Sequence, residues 1–276
     1  MSTNSYPIGP IWQAVLKSIW KQLFNPNSSL YLPNIIKNGD PSLGLPSYDP
    51  ATFTGKSKPF IISGVDPSVI SQACTDTTSP IPPVGSEPTL ALGDVLLHNL
   101  SNMSSGNMTF ATDAPNVTID VTVGTEETPF ILEEVNATDP NFFFNVKCCD
   151  PESTGSQKCN KSWSTSAHGQ FQANVSAFNI TLESKLNTPN GAPPTITILN
   201  IVLKVLPKDI DLNFNVASLP KWAQTLAKIA VQQGVNTNAI ADVIQSFLNQ
   251  PSVEGHIEKL INAQLAKIWG QSSSLV

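Results

Sequence analysis

Residues 195–216 read TITILNIVLKVLPKDIDLNFNV and decide the fold class. The first part, residues 195–206, has apolar side chains on both faces of an extended chain, with Leu199, Ile201 and Leu203 on one of them. This pattern predicts a strand that is covered on both sides. The second part, residues 209–216, alternates strictly between apolar and polar side chains, which predicts a strand with one face in water.

After Pro220 the spacing of the apolar residues becomes helical. Three successive apolar stripes predict three helices, and their members include Trp222, Leu226, Leu260 and Leu265. Because antiparallel strands are followed by segregated helices, the sequence predicts the α+β class.

The last two helices have recognisable boundary signals. The final helix is expected over residues 253–269, with Ser252 as its N-cap and an end near Gly270. The helix before it is expected to start at Asn236 or Thr237.

A further helix is predicted near the start of the chain, over residues 8–24, with Pro10 in its first turn. Its apolar stripe includes Trp12, Leu16, Ile19 and Trp20. The stripe is interpreted as a surface that docks onto the core, with contact to a lipid site or a membrane surface as the alternative.

The chain is predicted to form a single domain over residues 1–276. Its four segments are the N-terminal helix at 8–24, a Pro/Ser-rich extended segment at 25–90, an antiparallel sheet at 91–216 and C-terminal helices at 219–270. Residues 92–100 are predicted as a strand or a short helix. Residues 170–186 are predicted as one long strand, whose apolar phase switches at Phe178 through a bulge or a bend between two surfaces.

The composition excludes two classes of function. The chain has 276 residues, 15 Lys and Arg, 21 Asp and Glu, and a net charge of −6, which argues against a nucleic-acid partner. It has no apolar run long enough to span a membrane as a helix. The first residues lack the pattern of a secretory signal. An extracellular location is nonetheless the hypothesis, because Asn, Ser and Thr carry most of the polarity.

Four cysteines, Cys74, Cys148, Cys149 and Cys159, are candidates for disulfides. The preferred pairing joins Cys148 or Cys149 to Cys159 and the other to Cys74; free thiols and a zinc site completed by His168 are the alternatives. Nine Asn-x-Ser/Thr triplets are candidate glycan acceptors, at Asn27, Asn99, Asn102, Asn107, Asn116, Asn136, Asn160, Asn174 and Asn179.

Residues that could carry catalysis are scattered along the chain. His98, His168 and His256 lie in separate segments and are interpreted as structural or solvated. Asp211 and Asn213, with Asp209, alternate on one strand and could hold a calcium ion, but a solvated sheet face is the preferred interpretation. The sequence therefore predicts no enzyme, no cofactor and no resident metal.

Long apolar elements are the main functional signal. A long helix on a strongly curved antiparallel sheet leaves a tubular apolar cavity where packing is incomplete, and such a cavity suits acyl chains. The N-terminal helix, the segment LGDVLLHNLSNM at 92–103, the segment GQFQANVS at 169–176 and the closing helix together resemble the tubular lipid-binding superfamily. That superfamily includes bactericidal permeability-increasing-like proteins, mite group 7 allergens and the OrfX-type components of clostridial toxin clusters. The resemblance implies a half-barrel sheet wrapped on long amphipathic helices, and binding or transfer of lipid.

The leading functional hypothesis is thus a non-enzymatic protein that binds a lipid, a fatty-acid-like molecule or another elongated hydrophobic ligand. The predicted groove residues are Trp12, Leu16, Ile19, Trp20, Leu199, Ile201, Leu203, Trp222, Leu226, Leu260 and Leu265. One alternative is an interaction module or toxin-complex component that binds a protein partner and has no ligand cavity. The other is a protein that acts at a membrane interface through residues 8–24.

Overall fold

A computed structural model describes residues 7–56, 59–62, 65–66, 68–69, 88–136, 138–151, 157–189, 192–205, 210–215, 224–226, 229 and 235–273. Helices run over Pro10–Leu23 (α1), Leu32–Asn38 (α2), Val235–Leu248 (α3) and Pro251–Ser273 (α4). Strands run over Ala51–Phe53 (β1), Phe60–Ile61 (β2), Thr89–Leu92 (β3), Val95–His98 (β4), Met103–Phe110 (β5), Asn116–Val123 (β6), Phe130–Glu134 (β7), Phe142–Pro151 (β8), Gln157–Ala167 (β9), Gln170–Val175 (β10), Phe178–Asn187 (β11), Thr195–Val205 (β12) and Ile210–Asn215 (β13).

These strands form three antiparallel sheets. The five-stranded sheet has the order β1-β4-β7-β10-β13, and the two four-stranded sheets have the orders β12-β11-β6-β5 and β2-β3-β8-β9. Helices α1, α3 and α4 pack on the sheet that contains β5 and β12. The predicted α+β class, with open antiparallel sheets of the half-barrel type, is confirmed.

The hydrophobic core lies between the sheets and the helices. In β6 every second side chain is buried, from Val117 to Val123, as in a strand with one face on the core. Phe130 of β7 meets Phe178 of β11 edge to face, with ring centroids 5.0 Å apart, and joins two of the sheets. Buried residues of all three sheets and of the helices belong to one hydrophobic cluster.

Side chains of α3 and α4 cover the edge of β12. Asn262 accepts a hydrogen bond from the backbone N–H of Ile196 at 2.6 Å and donates one to its carbonyl oxygen at 3.0 Å. Gln245 makes the same kind of pair with the N–H of Leu203 and the carbonyl of Ile201. Because an uncovered edge strand invites pairing with another chain, these amides both hold the helices and protect the edge.

The stretch 170–186 differs from its prediction as one strand. It forms β10 and β11, which belong to different sheets, with the break at Ser176 and Ala177. The phase switch at Phe178 has this cause, because the two strands bury opposite faces against a shared core. Residues 92–100 likewise contribute the end of β3 and all of β4.

Two helix predictions also need correction. Helix α2 lies inside the segment predicted as extended; with seven residues it is too short to show a helical period. Helix α4 continues through Gly270 to Ser273, so this glycine does not end it. The predicted helix around Trp222 falls largely outside the described residues.

Candidate functional site

A cavity of about 110 Å³ lies between the helices and the sheet β12-β11-β6-β5. Twenty residues line it, and nearly all of them are aliphatic or aromatic. A cavity of about 150 Å³ with such walls stays dry and holds a molecule the size of benzene. The present cavity therefore has room for a short segment of an apolar chain.

The inner wall of the cavity consists of buried side chains. Strands β6 and β11 supply Val121, Ile180 and Leu182, while α1 supplies Trp20 and Leu23. The indole N–H of Trp20 donates a hydrogen bond to the Gly106 carbonyl oxygen at 3.4 Å, so its polar atom faces the sheet backbone. This wall offers a ligand only apolar contact.

The outer wall is partly open to solvent. Its half-buried or exposed members on α2, on the loop after α2 and on α4 are Leu32, Ile36, Pro46, Tyr48, His256 and Ile257; Met103 of β5 is a further half-buried lining residue. The cavity therefore opens between α2 with its following loop on one side and α4 on the other. We call this opening, lined by those six residues, the mouth.

Backbone hydrogen bonds fix the loop that forms one side of the mouth. Gly39 ends α2 with a φ of 74°, and a Cβ atom there would lie 2.7 Å from the Leu45 carbonyl oxygen, so the turn requires glycine. The Tyr48 N–H donates to the Ile36 carbonyl at 2.8 Å, and the Asp49 carboxylate accepts from the N–H groups of Asn99 and Ser101. The backbone of Tyr48 is thus hydrogen-bonded to α2, and the neighbouring residue Asp49 is hydrogen-bonded to the turn after β4.

The polar side-chain atoms of the cavity are concentrated at the mouth. The Tyr48 hydroxyl is hydrogen-bonded to Nδ1 of His256 across the opening. The Tyr48 ring also packs edge to face on Phe247, with centroids 6.1 Å apart. Burial raises the pKa of the Tyr48 hydroxyl, so this group is a neutral phenol at physiological pH.

Of the residues predicted from sequence to line a groove, Trp20 and Leu260 line this cavity. Five others are buried elsewhere in the core: Leu16, Ile19, Ile201, Leu226 and Leu265. Trp12 stacks on Trp269 with centroids 6.2 Å apart, and Leu203 is half-buried against the core. Trp222 lies outside the described residues.

Leu199 occupies a different place from the one expected for a groove residue. The register of β12 against β11 shifts at Glu183 and Ser184, and Leu199 is left without a partner at this bulge. Its side chain is 55% exposed. A bulge adds one residue to the alternation, which explains why Leu199 and Ile201 do not share an environment.

Sequence reasoning missed most of the mouth. Tyr48 lies in the Pro-rich segment, where no periodicity indicates burial, and His256 was interpreted as structural or solvated. The wall residues Ile180 and Leu182 carried a signal, because they lie on the apolar phase of the predicted strand. The distance between segments hid the site: residues 20, 48, 182 and 256 meet only through the tertiary fold.

A second pocket, of about 340 Å³, lies at the turn between β3 and β4 and is lined by both apolar and charged side chains. Its lining includes Lys56, Asp94 and Asp139, and the Lys56 ammonium lies 4.3 Å above the Phe143 ring. The Asp94 carboxylate accepts a hydrogen bond from the Gly55 N–H at 2.6 Å. Charges of both signs and existing partners make this pocket a poor match for an apolar ligand.

The groups considered for catalysis and metal binding do not form a cluster in the described part of the chain. His98 pairs with Glu133 at 2.7 Å at the surface, and His168 is exposed. Within the described ranges no group of three His, Cys, Asp or Glu side chains could hold a metal ion. The side chains of all four cysteines, of Asp211 and of Asn213 lie outside the described set, so the disulfide and calcium hypotheses stay predictions.

Among the described helices, none is long and apolar enough to cross a membrane.

Comparison with known proteins gives structural neighbours only. No family model and no curated protein matches the sequence. The chain is similar to the crystal structure of Takeout 1 from Epiphyas postvittana, with 11% identity, a TM-score of 0.37, and coverage of 90% of this chain and 89% of that one. It is also similar to lipopolysaccharide binding protein, with 12% identity, a TM-score of 0.29, and coverage of 79% and 42%. Because these scores are low, functional inference rests on the cavity of this chain.

Proposed function

We propose that the protein is a non-enzymatic binding protein for an elongated hydrophobic ligand, which it holds in the cavity between α1, α2, α4 and the β-sheet. The supporting observation is an apolar cavity of about 110 Å³ that opens to solvent. Empty apolar space costs stability, since its walls lose packing contacts. A ligand with apolar groups restores those contacts at about 0.8 kcal/mol for each buried methylene.

The size of the cavity favours a single chain over a bulky ligand. Drug-sized ligands usually occupy pockets of about 300–1,000 Å³, well above the volume present here. One end of an acyl or isoprenoid chain fits without a rearrangement, whereas two chains side by side require α2 to move away from α4.

The membrane-interface alternative conflicts with the position of α1. Leu16, Ile19, Trp20 and Leu23 of its stripe are all buried in the core, so insertion of this face into a membrane would require the helix to undock. Only Ile11, at the start of the helix and 78% exposed, is a large apolar side chain free for such contact. A helix whose apolar face is already packed gains little from a membrane surface.

Native mass spectrometry of the purified protein, followed by lipid analysis of its organic extract, tests the proposal. We expect a bound apolar molecule at near-stoichiometric amount, or stoichiometric uptake of added dodecanoic acid. The variant Leu260→Phe narrows the cavity and should reduce uptake, whereas the matched control Leu199→Phe changes an exposed leucine and should not. A protein that carries nothing and takes up none of several added lipids would contradict ligand binding and favour the interaction-module alternative.

A further inference from the structure

The mouth of the cavity contains a polar pair whose chemistry selects among hydrophobic ligands. We propose that the ligand is a single-chain carboxylic acid, with its chain in the apolar cavity and its carboxylate at Tyr48 and His256, within reach of Lys259. This inference rests on the proposed function and names the ligand class of the same site.

The first step concerns hydrogen-bond donors at the Tyr48–His256 pair. If His256 carries its proton on Nε2, the Tyr48 hydroxyl donates to Nδ1 and the Nε2–H is left over. If the proton is on Nδ1, this N–H donates to the phenol oxygen and the phenolic O–H is left over. Either tautomer therefore offers one donor beyond the internal bond, and no acceptor for it is found among the described residues.

The second step concerns the surroundings of that donor. Within the cavity the other side chains are apolar or, like Trp20, already hydrogen-bonded to the backbone. A polar group of the ligand placed among them would lose its water without a replacement, which weakens binding. A chain with a single oxygen-bearing end group at the mouth avoids that cost, because its end meets both the donor and solvent.

The third step concerns charge. Lys259 lies three residues after His256 on α4, which places the two on neighbouring positions of the same helix face. Its Nζ atom lies 3.4 Å from the position a Cβ atom would take at Gly44, in the loop that continues into the cavity residue Leu45. Among the described residues no carboxylate lies within salt-bridge distance of this ammonium. The positive charge of this ammonium favours an anionic end group at this point.

The fourth step concerns the carboxylates of Asp40 and Glu258, which could otherwise pair with the donor or with the Lys259 ammonium. The Asp40 carboxylate, at the start of the same loop, accepts hydrogen bonds from the Ser42 hydroxyl and backbone and from the Leu43 N–H. Glu258, next to Lys259 in sequence, accepts the Ile198 N–H of β12 at 2.6 Å and therefore points toward the sheet. The donor and the ammonium thus remain for a ligand.

Calorimetric titration with dodecanoic acid and its methyl ester tests the proposal on the intact chain. The two probes share the chain and differ in the carboxylate. We expect the wild-type protein to bind the acid at least about tenfold more tightly than the ester, as expected for a charge-assisted hydrogen bond. Tyr48→Phe and Lys259→Gln should each weaken acid binding by about tenfold and leave ester binding unchanged.

Lys267→Gln is the matched control, since Lys267 is an exposed lysine two turns further along α4 and away from the mouth. It should bind both probes like the wild type. If Tyr48→Phe fails to fold, as judged by circular dichroism, Lys259→Gln carries the test, because its side chain is exposed and buries nothing. Equal affinity of the wild type for acid and ester, with no effect of either variant, would overturn the carboxylate inference while leaving hydrophobic binding intact. Binding of neither probe, or of any other apolar molecule, would overturn the proposed function itself.

Discussion

Two sheets of the molecule are built on the same alternation but face different surroundings. In the five-stranded sheet, Leu97, Phe130, Leu132 and Val175 are 0% exposed, and none of its residues lines the cavity. In the sheet β12-β11-β6-β5, equally apolar positions such as Ile180 and Leu182 face the cavity and keep 8% and 5% exposure. Aromatic pairs pack the first sheet against strands of the other two sheets, whereas on the cavity side the second sheet faces helices. The alternation of apolar and polar residues thus determines which face of a strand is buried. The element that packs on that face determines whether the space beside it is filled.

The largest expected effect is the difference in stability loss when a buried side chain of each sheet is truncated to alanine. Phe130→Ala should destabilise the protein by about 3–5 kcal/mol, because it empties a filled site and removes the contact with Phe178. Leu182→Ala should cost clearly less, since this side chain already borders empty space and has fewer contacts to lose. Urea unfolding monitored by circular dichroism measures both. Equal losses would show that the two sheets are equally well packed.

Enlarging side chains sharpens the same comparison. Val175→Phe places a ring where no space exists and should destabilise by about 1–3 kcal/mol. Leu260→Phe adds volume beside the cavity and should leave the free energy of unfolding unchanged or raise it. Thermal unfolding of the two variants without ligand provides the measurement. A marked loss of stability in Leu260→Phe would contradict the presence of a cavity beside Leu260 that can accommodate the larger side chain.

The next prediction concerns the hydrogen bonds between α4 and the edge of β12. Asn262→Ala leaves the N–H and carbonyl of Ile196 without their side-chain partner and should cost about 1–3 kcal/mol. Amide exchange at Ile196 should accelerate more than exchange in the five-stranded sheet. Lys267→Ala, an exposed change on the same helix, serves as the control. Unchanged exchange at Ile196 would mean that water or another group satisfies the edge.

The smallest effect concerns the loop at the mouth. The Ser42 hydroxyl and the backbone N–H groups of Ser42 and Leu43 lower the pKa of Asp40 below its ordinary value. The resulting stabilisation is present above the pKa of the unfolded chain and is lost as pH falls through the lower folded value. Ser42→Ala should shift the Asp40 titration, followed by NMR, back toward the ordinary value. No shift would mean that the backbone bonds alone set the pKa.

Several features of the fold were predictable because they are local. Strand β6, helix α1 and the apolar phase change at Phe178 all follow from the spacing of side chains along one segment. The end of α4 was predicted wrongly at Gly270, since a glycine permits a helix to stop but does not force it. The bulge at Leu199 was not foreseen, because an irregular pairing depends on the neighbouring strand.

The site was less predictable than the fold, for a geometric reason. Trp20 and Leu260 could be selected as members of apolar stripes, but so could Leu16 and Leu265, which are packed elsewhere in the core. Whether a stripe residue meets a neighbour or a void depends on how helices and sheet fit together. Tyr48 had no stripe at all, and its position depends on hydrogen bonds to α2.

Photo-crosslinking with a fatty acid that carries a diazirine at the end of its chain tests the central claim, the location of the ligand, most directly. The protein is loaded at equimolar ligand, irradiated, digested and mapped by peptide mass spectrometry. The cavity predicts labels on β6 and β11 near Val121 and Leu182, and on the α3–α4 region near Phe247 and Leu260. Labels at exposed apolar positions such as Ile61 and Leu199, or spread over the five-stranded sheet, would contradict it.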